Sequence, residues 1–558
     1  MHVLNTPYSH LKIWLIVIIL VLPLFQVSAV PLTDNYPKNP NIDAINYTFR
    51  INLSDSTDEI RCVETIDIRY LAAGVTKLRL DLIKASEMLE NKGMVVSNVI
   101  SEGKVLSYTH ENNALTIQLP ERSTLNQRSS YTVTYKGIPA TGLKIANNKH
   151  GDRTFFSDNW PNKGRNWLAT IDHPYDKATC EFIVIAPAHY QVVSNGLLIE
   201  ETDLGNGDRL THWKQSVPIA TWLYVLGVAK FAVQYVDEFE GKSIQTWVYP
   251  QDRDAGFYDF AIPTKSALEY YSDRIGPFSY EKLANIQSNS VSGGMEAASA
   301  ILYSANSVVG DRNERWRNVV IHEIAHQWFG NAVTEYDWDD VWLSEGFATY
   351  FTLLFIDHHY GHDAFLEGLA KSKKRVDVFY AKNPDYRIVH DNLSDMSKVT
   401  SIQTYQKGSW VLHMLRGVVG TDAFWKGIQS YYKRYKDLNA TTSDFRREIE
   451  EASGMDLEYF FKQWLYEPGT LKYKGTWQFD SQEKEVTILL DQVQSDGSFF
   501  KMPLELGIYG ADQKQPHIKK LQMDEKSKQF TFSLDFVPNK IILDPNSWVL
   551  MDTDFEEK

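Results

Sequence analysis

The chain has 558 residues, a formal net charge of −14, 43% hydrophobic residues and 13% aromatic residues. This length exceeds what one hydrophobic core organises, and the composition is typical of packed globular domains, so we expect roughly two to four domains. The acidic balance argues against nucleic acid as a partner, because phosphate binding needs clustered Lys and Arg.

The N-terminus is predicted to be a secretory signal peptide. A continuous apolar run, IWLIVIILVLPLF, follows Lys12 and precedes small residues that end at Ala29. A membrane-spanning helix needs roughly 20 apolar residues, and Pro23 interrupts this shorter run. We therefore expect a signal over residues 1–29, export to the periplasm or the extracellular space, and no stable membrane insertion after cleavage. An uncleaved membrane anchor is the alternative.

Residues 30–238 are predicted to form an antiparallel β-sheet domain. The segment EIRCVETIDIRY alternates, with Ile60, Cys62 and Ile66 on one face, which is the period of a half-buried strand. Turn clusters such as NNKHGD and DLGNGD separate similar runs. The chain has two cysteines, and the sequence leaves open whether Cys62 and Cys180 form a disulfide or remain buried thiols.

Residues 239–469 are predicted to be mainly helical. One helix is expected to start at a proline, Pro263 in PTKSALEYYSDRI, and another, DRNERWRNVVIHEIAHQWFG, to stop at Gly330. The segment TTSDFRREIEEASG carries Thr and Ser at cap positions, with an acidic residue near its first turn. The pattern then returns to short strands, so residues 470–558 are expected to form a small C-terminal β-sandwich.

One segment of the helical region carries a metal-binding pattern. His322 and His326 have the H-E-x-x-H spacing, which places both imidazoles on one helix face, one turn apart. Glu345 follows after 18 intervening residues, in a second apolar run. Two histidines and a glutamate with an open fourth position form a catalytic zinc pattern, since structural sites usually close with four protein ligands. We expect Zn²⁺, one ion per chain, with Glu323 close to the metal's water.

Four segments together resemble a known family. VVIHEIAHQWFGNAVTEYDWDDVWLSEGFATY resembles the zinc signature of the M1 aminopeptidases, the family of aminopeptidase N and leukotriene A4 hydrolase. SVSGGMEAASAILY resembles its G-x-M-E-N exopeptidase motif, and TYQKGSWVLHMLR its Y-x-K-G segment. TIDHPYDKATCEFIVIAP resembles a turn and strand late in its N-terminal domain. The resemblance implies a multidomain α+β fold with a saddle-like sheet domain and a thermolysin-like catalytic domain, without the large C-terminal helical domain of most larger relatives.

The resemblance also implies roles for individual residues in catalysis. His322, His326 and Glu345 are implied as zinc ligands. Glu323 is implied as the general base that takes a proton from the attacking water, and Tyr405 as the phenol that stabilises the tetrahedral oxyanion.

Substrate recognition is implied by the exopeptidase motif. Glu296 is expected to bind the free α-amine of the substrate, which would reject internal peptide segments. Gly293, Gly294 and Met295 are expected to line the substrate, the two glycines through close backbone approach.

Two positions depart from the family pattern. The usual Asn of G-x-M-E-N is Ala297 here. A second amine-binding residue is expected near FFSDNWPNKGRNW, where Asp158 and Asn159 are the candidates and the sequence does not decide between them.

The leading interpretation is a zinc metallo-aminopeptidase that acts on peptides with a free N-terminus. A zinc endopeptidase or an epoxide hydrolase is the alternative within the superfamily. A catalytically inactive secreted binding or scaffold protein is the alternative from another class. The preferred N-terminal residue and the oligomeric state remain open.

Overall fold

The computed structural model describes residues 34–389, 393, 395–511 and 515–558. The signal peptide expected over residues 1–29 lies outside these described residues. Within them, no helix combines the length and the apolar character needed to cross a bilayer.

The N-terminal part is built almost entirely of strands. Their bounds are β1 (Ile42–Asn52), β2 (Ile60–Tyr70), β3 (Lys77–Asp81), β4 (Gly93–Ser101), β5 (Lys104–Val105), β6 (Tyr108–Glu111), β7 (Ala114–Gln118), β8 (Arg128–Ile138), β9 (Leu143–Asn147), β10 (Arg153–Ser157), β11 (Lys177–Pro187), β12 (Gln191–Ser194), β13 (Leu197–Asp203), β14 (Asp208–Ala220) and β15 (Leu226–Ala229).

These strands form three sheets. The largest has the order β13-β14-β11-β1-β2-β8-β4-β5, and the others have the orders β12-β15-β10-β9 and β3-β7-β6. The expectation of an antiparallel domain needs one correction, because β1 pairs in parallel with β11, with Tyr47 opposite Cys180. No local pattern encodes that pairing, since the two strands are far apart in the chain and each alternates like any half-buried strand.

Both cysteines are free and buried. Cys62 lies on β2 and Cys180 on β11, and β1 runs between these two strands. Strands two places apart in a sheet are about 10 Å from each other, which is beyond the reach of a disulfide. The alternation predicted for β2 is confirmed, with Ile60, Cys62 and Ile66 buried on one face.

The middle part combines helices with a second mixed sheet. Its helices are α1 (Arg253–Arg274), α2 (Glu314–Ala325), α3 (Trp342–Tyr360), α4 (His362–Tyr380), α5 (Gly408–Val419), α6 (Thr421–Tyr435), α7 (Thr442–Ser453) and α8 (Glu458–Phe461). Its strands are β16 (Ala232–Phe239), β17 (Lys242–Val248), β18 (Leu283–Ser288), β19 (Gly294–Met295), β20 (Ala300–Ser304), β21 (Val333–Glu335) and β22 (Leu438–Ala440).

The five-stranded sheet of the middle part has the order β16-β17-β18-β20-β19, with β19 at its edge. The hairpin of β16 and β17 starts at Ala232 and pairs with β18, so it is part of this sheet. The predicted domain boundary, between residues 238 and 239, falls inside this hairpin. The domain limits themselves remain predictions.

Two helix ends differ from expectation. Helix α1 begins at Arg253 rather than at Pro263, which lies inside it. A proline removes one backbone hydrogen bond from a helix, and here buried Phe260 and Ala267 on either side hold the helix against its neighbours. Helix α2 ends at Ala325, before the Gly330 predicted as its stop. The expected cap of α7 is confirmed as a reciprocal capping box.

The last part consists of two further sheets. The strands are β23 (Leu471–Asp480), β24 (Glu485–Gln492), β25 (Met502–Gly510), β26 (His517–Met523), β27 (Ser527–Ser533), β28 (Pro538–Leu543) and β29 (Met551–Glu557). They pair in the orders β27-β24-β23-β29 and β26-β25-β28. His413 of α5 attaches this part to the helices, because its Nε2 bonds the Ser547 carbonyl at 3.0 Å and its ring stacks on Trp548.

Candidate active site

Two helices bring the candidate metal ligands together. His322 lies in the last turn of α2 and His326 forms its C-terminal cap. Glu345 lies in the first turn of α3, which is buried over most of its length. The Nε2 atoms of the two histidines are 3.1 Å apart, and Glu345 Oε2 lies 3.5 Å from His322 Nε2 and 3.3 Å from His326 Nε2.

These atoms fit a zinc ion. Ligand bonds of about 2.0–2.1 Å in a tetrahedral site separate neighbouring ligand atoms by about 3.3–3.4 Å, close to the three observed separations. Glu345 Oε2 is buried and accepts no hydrogen bond from the described residues. A cation between the three atoms would provide the missing partner.

The second ring nitrogen of His326 fixes its orientation. His326 Nδ1 lies 3.1 Å from the Phe329 carbonyl oxygen and 3.1 Å from Ser344 Oγ. A proton on Nδ1 donated to that carbonyl leaves Nε2 free for a metal. Gly330 makes this packing possible, since a β-carbon there would stand 2.2 Å from Ser344 Oγ.

Tyr405 completes the group around Glu345. The Tyr405 hydroxyl donates to Glu345 Oε1 at 2.6 Å, so the other carboxylate oxygen is the one that faces the histidines. The Tyr405 ring also stacks beside His322, with ring centroids 6.1 Å apart. Tyr405 reaches this position from a π-helical turn that precedes α5.

Glu323 lies on the same helix as the histidines but faces the edge strand β19. A β-carbon at Gly294 would stand 2.1 Å from a Glu323 carboxylate oxygen. Gly294 was expected to make room for the substrate, and in the structure its missing side chain makes room for Glu323. A β-carbon at Gly293 would meet nothing within 4 Å, so there is open space where a side chain would stand.

The Glu296 carboxylate is the third acid of the site. It is 6% exposed, and its Oε1 has no hydrogen-bond partner among the described residues. Side-chain oxygens of Glu296 and Glu323 lie within 4.8 Å of each other and of a His326 ring nitrogen. The motif thus places a carboxylate with an unpartnered oxygen beside the candidate metal centre.

The site holds more acidic than basic side chains. Burial, opposed by the charge of His326, raises the pKa of Glu296 to about 7. Burial, reinforced by the Glu296 charge, raises the pKa of Glu323 well above its ordinary value. Burial lowers the pKa of His326, but the charges of Glu296 and Glu345 outweigh it and raise this pKa to about 10. The site therefore favours a bound cation, and a metal ion would displace the His326 proton.

Two polar residues that the sequence analysis did not single out hold Glu296 in place. Gln327 Nε2 and Asn331 Nδ2 donate to the Glu296 carbonyl oxygen at 3.0 and 2.6 Å. Gln327 also accepts from the Ser299 N–H at 3.0 Å. The signal for both was their polar character in a segment that is otherwise apolar and fully buried.

The structure separates the two candidates for a second amine-binding residue. Asn159 is buried, donates to the Tyr224 carbonyl oxygen at 2.8 Å and accepts from Trp167 Nε1 at 2.9 Å, so its amide is occupied. Asp158 lines the same hollow as Glu296 and forms an ion pair with Lys163 at 2.8 Å. Only Asp158 faces the site.

The hollow at the site has a volume of about 410 Å³. Glu345 and Tyr405 line its metal-binding end, and the backbone from Ser290 to Glu296 lines one side. Met295 also lines the hollow, and so does Trp160, which no sequence motif marks. Ala297, which replaces the family's Asn, is buried and is not among the residues that line the hollow.

Comparison with known proteins agrees with this geometry. Residues 44–223 match the model of the peptidase M1 N-terminal domain, and residues 261–464 match that of the peptidase family M1 domain. The chain therefore belongs to peptidase family M1, a family of zinc metallopeptidases and aminopeptidases.

Individual relatives show how far the likeness extends. Glutamyl aminopeptidase of Sus scrofa is 30% identical over 330 residues, which are 56% of this chain and 34% of the relative. Probable aminopeptidase 1 of Sulfurisphaera tokodaii is 25% identical over 492 residues, which are 83% of this chain and 59% of the relative. The chain thus spans about a third of the length of the glutamyl aminopeptidase.

The fold also matches a solved structure. The M1 zinc metallopeptidase from Deinococcus radiodurans superposes with a TM-score of 0.65 at 23% identity, covering 76% of this chain and 93% of that one. At that identity the likeness shows a shared fold.

Proposed function

We propose that this protein is a zinc aminopeptidase that hydrolyses the N-terminal peptide bond of peptides. The observation that carries the proposal is the position of Glu296, a buried carboxylate whose Oε1 has no hydrogen-bond partner among the described residues. Glu296 shares its hollow with the candidate ligand Glu345, and a side-chain oxygen of Glu296 lies within 4.8 Å of a His326 ring nitrogen. We also propose that the N-terminal part is the saddle-like domain of the family and the middle part its thermolysin-like domain. The last part would then be a β-sandwich, and each chain would bind one zinc ion.

The chain's own residues would perform the proton transfers. Bound zinc would supply a Lewis acid that activates a water and polarises the scissile carbonyl. Glu323 takes a proton from the attacking water and passes it to the leaving amine, since its carboxylate lies on the same helix as the two histidines and beside the strand that carries Glu296. The Tyr405 hydroxyl, which donates to Glu345 in the free protein, donates to the developing oxyanion.

Recognition of the N-terminus follows from charge. A substrate ammonium beside Glu296 would supply the hydrogen bonds that its carboxylate lacks, and Asp158 adds a second acid at the edge of the hollow. An internal peptide segment carries no such charge and would leave Glu296 buried without a partner. This selection against internal bonds supports an aminopeptidase over an endopeptidase.

An inactive scaffold protein and an epoxide hydrolase both have less support. A scaffold protein does not need Glu323, Tyr405 and a complete set of metal ligands arranged around one site. For epoxide hydrolysis, no feature of the described site offers a specific argument. We also propose that the protein is exported and acts in the periplasm or outside the cell, on the strength of the predicted signal peptide.

The test compares an aminoacyl 4-nitroanilide with the same compound acetylated on its nitrogen. We expect turnover of the free amine only, and we expect Glu296→Gln to raise KM for it, with zinc content unchanged. Equal hydrolysis of the acetylated compound would refute the aminopeptidase assignment. No hydrolysis of any anilide or peptide by the zinc-loaded protein would support the scaffold protein instead.

A further inference from the structure

A second hollow continues the active site away from the metal ligands. It has a volume of about 330 Å³ and shares Lys144, Asp158 and Ser290 with the first hollow. Its far side is formed by the chain from Ile138 to Ile145, which belongs to the N-terminal part. The two hollows thus form one groove that begins beside Glu296 and leads toward β9.

The edge strand β19 gives this groove a direction. The Gly293 carbonyl oxygen accepts from the Ser304 N–H at 2.8 Å, so by strand alternation the backbone polar groups of Gly294 point away from β20 and toward the groove. An extended peptide can add to such an edge as a further strand. If its α-amine is at Glu296, as the proposed function requires, the peptide runs antiparallel to β19 and its C-terminal end points toward Ser290 and Asn289.

A lysine without a counterion stands at that end of the groove. Lys144 lies on β9, its side chain is exposed, and its Nζ donates to the Asn289 carbonyl oxygen at 2.6 Å. No carboxylate of the described residues lies within ion-pair distance of Lys144 Nζ, whereas the neighbouring Asp158 is paired with Lys163 at 2.8 Å. Lys92, which also lines the second hollow, is paired with Glu90 at 3.3 Å. Among the described lysines that line the two hollows, Lys144 is therefore the one without an ion pair and remains available to an anion.

Hydrogen bonds hold the loop that Lys144 contacts, and so they define the position of this lysine. The loop that carries Asn289 is tied to the N-terminal part, because Asn289 Nδ2 donates to Thr154 Oγ1 at 3.0 Å and Ser290 Oγ to the Ser157 carbonyl oxygen at 2.9 Å. These bonds fix β9 and β10 beside the groove.

We propose that Lys144 binds the C-terminal carboxylate of short peptide substrates, and that this enzyme therefore favours short peptides with a free C-terminus. This inference rests on the proposed aminopeptidase activity. Glu296 holds the ammonium of the substrate at one end of the groove, and Lys144 holds its carboxylate at the other end. The distance between these two side chains therefore selects the length of the peptide.

The experiment compares peptide acids with the corresponding C-terminal amides in the zinc-loaded protein. Tri-, tetra- and pentapeptides of one composition are used, and kcat/KM is measured for each pair. We expect the acid to be favoured by about three- to fivefold at the length that reaches Lys144, as for a partly exposed ion pair, and the preference to decrease with added salt. Equal values for acids and amides at every length would overturn the proposal.

Variants assign the effect to Lys144. We expect Lys144→Gln to abolish the preference for the acid and Lys144→Arg to retain it. Lys149→Ala is the matched control, because Lys149 also joins the two parts, through Asp252 at 2.8 Å, but does not line the groove. An unchanged preference in Lys144→Gln would overturn the proposal.

Two further comparisons separate the sources of an effect. A peptide amide that ends in glutamate shows whether a side-chain carboxylate can replace the terminal one, and full replacement would overturn the assignment to the C-terminus. An aminoacyl 4-nitroanilide, which has no carboxylate, reports the aminopeptidase activity itself, and Lys149→Ala should cleave it as wild type does. Cleavage of the anilide with no preference for acids refutes only this inference, whereas no cleavage of either substrate class refutes the proposed function.

Discussion

The carboxylate of Glu323 packs against the backbone of Gly294, at a place where a β-carbon would stand 2.1 Å from its oxygen. This contact joins the helix that carries the histidines to the strand that directly precedes Glu296, so the proposed base and the proposed amine-binding residue are positioned by one interface.

Gly294→Ala should therefore displace Glu323 and reduce kcat. A displacement of the order of 1 Å in a catalytic group costs about 100-fold, and bound zinc should be retained because no ligand moves. The comparison variant is Gly293→Ala, whose added methyl group meets no protein atom within 4 Å, so it should leave Glu323 in place and lower kcat less than Gly294→Ala does. Steady-state kinetics on an aminoacyl 4-nitroanilide would decide, and equal effects of the two substitutions would contradict the packing argument.

Replacing a ligand should remove the metal. We expect about one zinc ion per purified wild-type chain and loss of most of it in His322→Ala, measured by elemental analysis after dialysis. His517→Ala, an exposed histidine on β26, is the control and should keep its zinc. Retention of a full equivalent by His322→Ala would show that the ligand set is wrong.

Replacing the base should leave the metal bound. Glu323→Gln keeps the size of the side chain but cannot accept the proton, so kcat should fall by about 10²- to 10⁴-fold. Zinc content should equal that of wild type. Glu314→Gln, in the first turn of the same helix, controls for general effects on α2. Turnover within twofold of wild type in Glu323→Gln would exclude it as the base.

Asp158 and Asn159 should behave differently although they are neighbours. Asp158→Asn should raise KM for free-amine substrates by about fivefold, the size of a partly exposed ion pair, with no change in the free energy of unfolding. Asn159→Ala leaves the Trp167 N–H and the Tyr224 carbonyl without partners and should lower the free energy of unfolding by about 2 kcal/mol. Urea unfolding and KM together test this, and the reverse pattern would refute the assignment of both.

The buried His413 imidazole should make the free energy of unfolding depend on pH. Burial lowers its pKa to about 3 from an ordinary value of 6.5. Between these values the unfolded chain binds a proton that the folded chain does not, so stability falls as the pH is lowered below 6.5. The contribution is about 1.4 kcal/mol per pH unit.

This dependence can be measured by urea unfolding between pH 7 and pH 4. His413→Gln should be less stable than wild type at pH 7, because it loses the stacking on Trp548, but its stability should fall less steeply with acid. His517→Gln serves as the control and should follow the wild-type slope. Parallel slopes for wild type and His413→Gln would rule out His413 as the source.

Local patterns account for much of the site. The H-E-x-x-H spacing places His322 and His326 near each other on α2 because residues four apart share a helix face. The alternation of β2 is visible in sequence for the same kind of reason, since successive strand residues point to opposite faces. The roles of Tyr405 and Glu296 followed from the family resemblance, because no local rule distinguishes one tyrosine or one glutamate from the others.

Other features depended on contacts between distant segments. The parallel pairing of β1 with β11, which keeps Cys62 and Cys180 apart, is a choice of partner that neither strand encodes alone. The start of α1 ahead of Pro263 depended on packing that overrides a local stop signal.

The sequence by itself predicted the metal ligands and the base and identified the family of this protein, because those depend on residue type at short, fixed spacing. The tertiary structure alone decided why Gly294 must lack a side chain, that Asp158 and not Asn159 faces the hollow, and that Lys144 lines both hollows. Each of these depends on which atoms of separate segments approach within a few ångströms, and periodicity carries no information about such approaches.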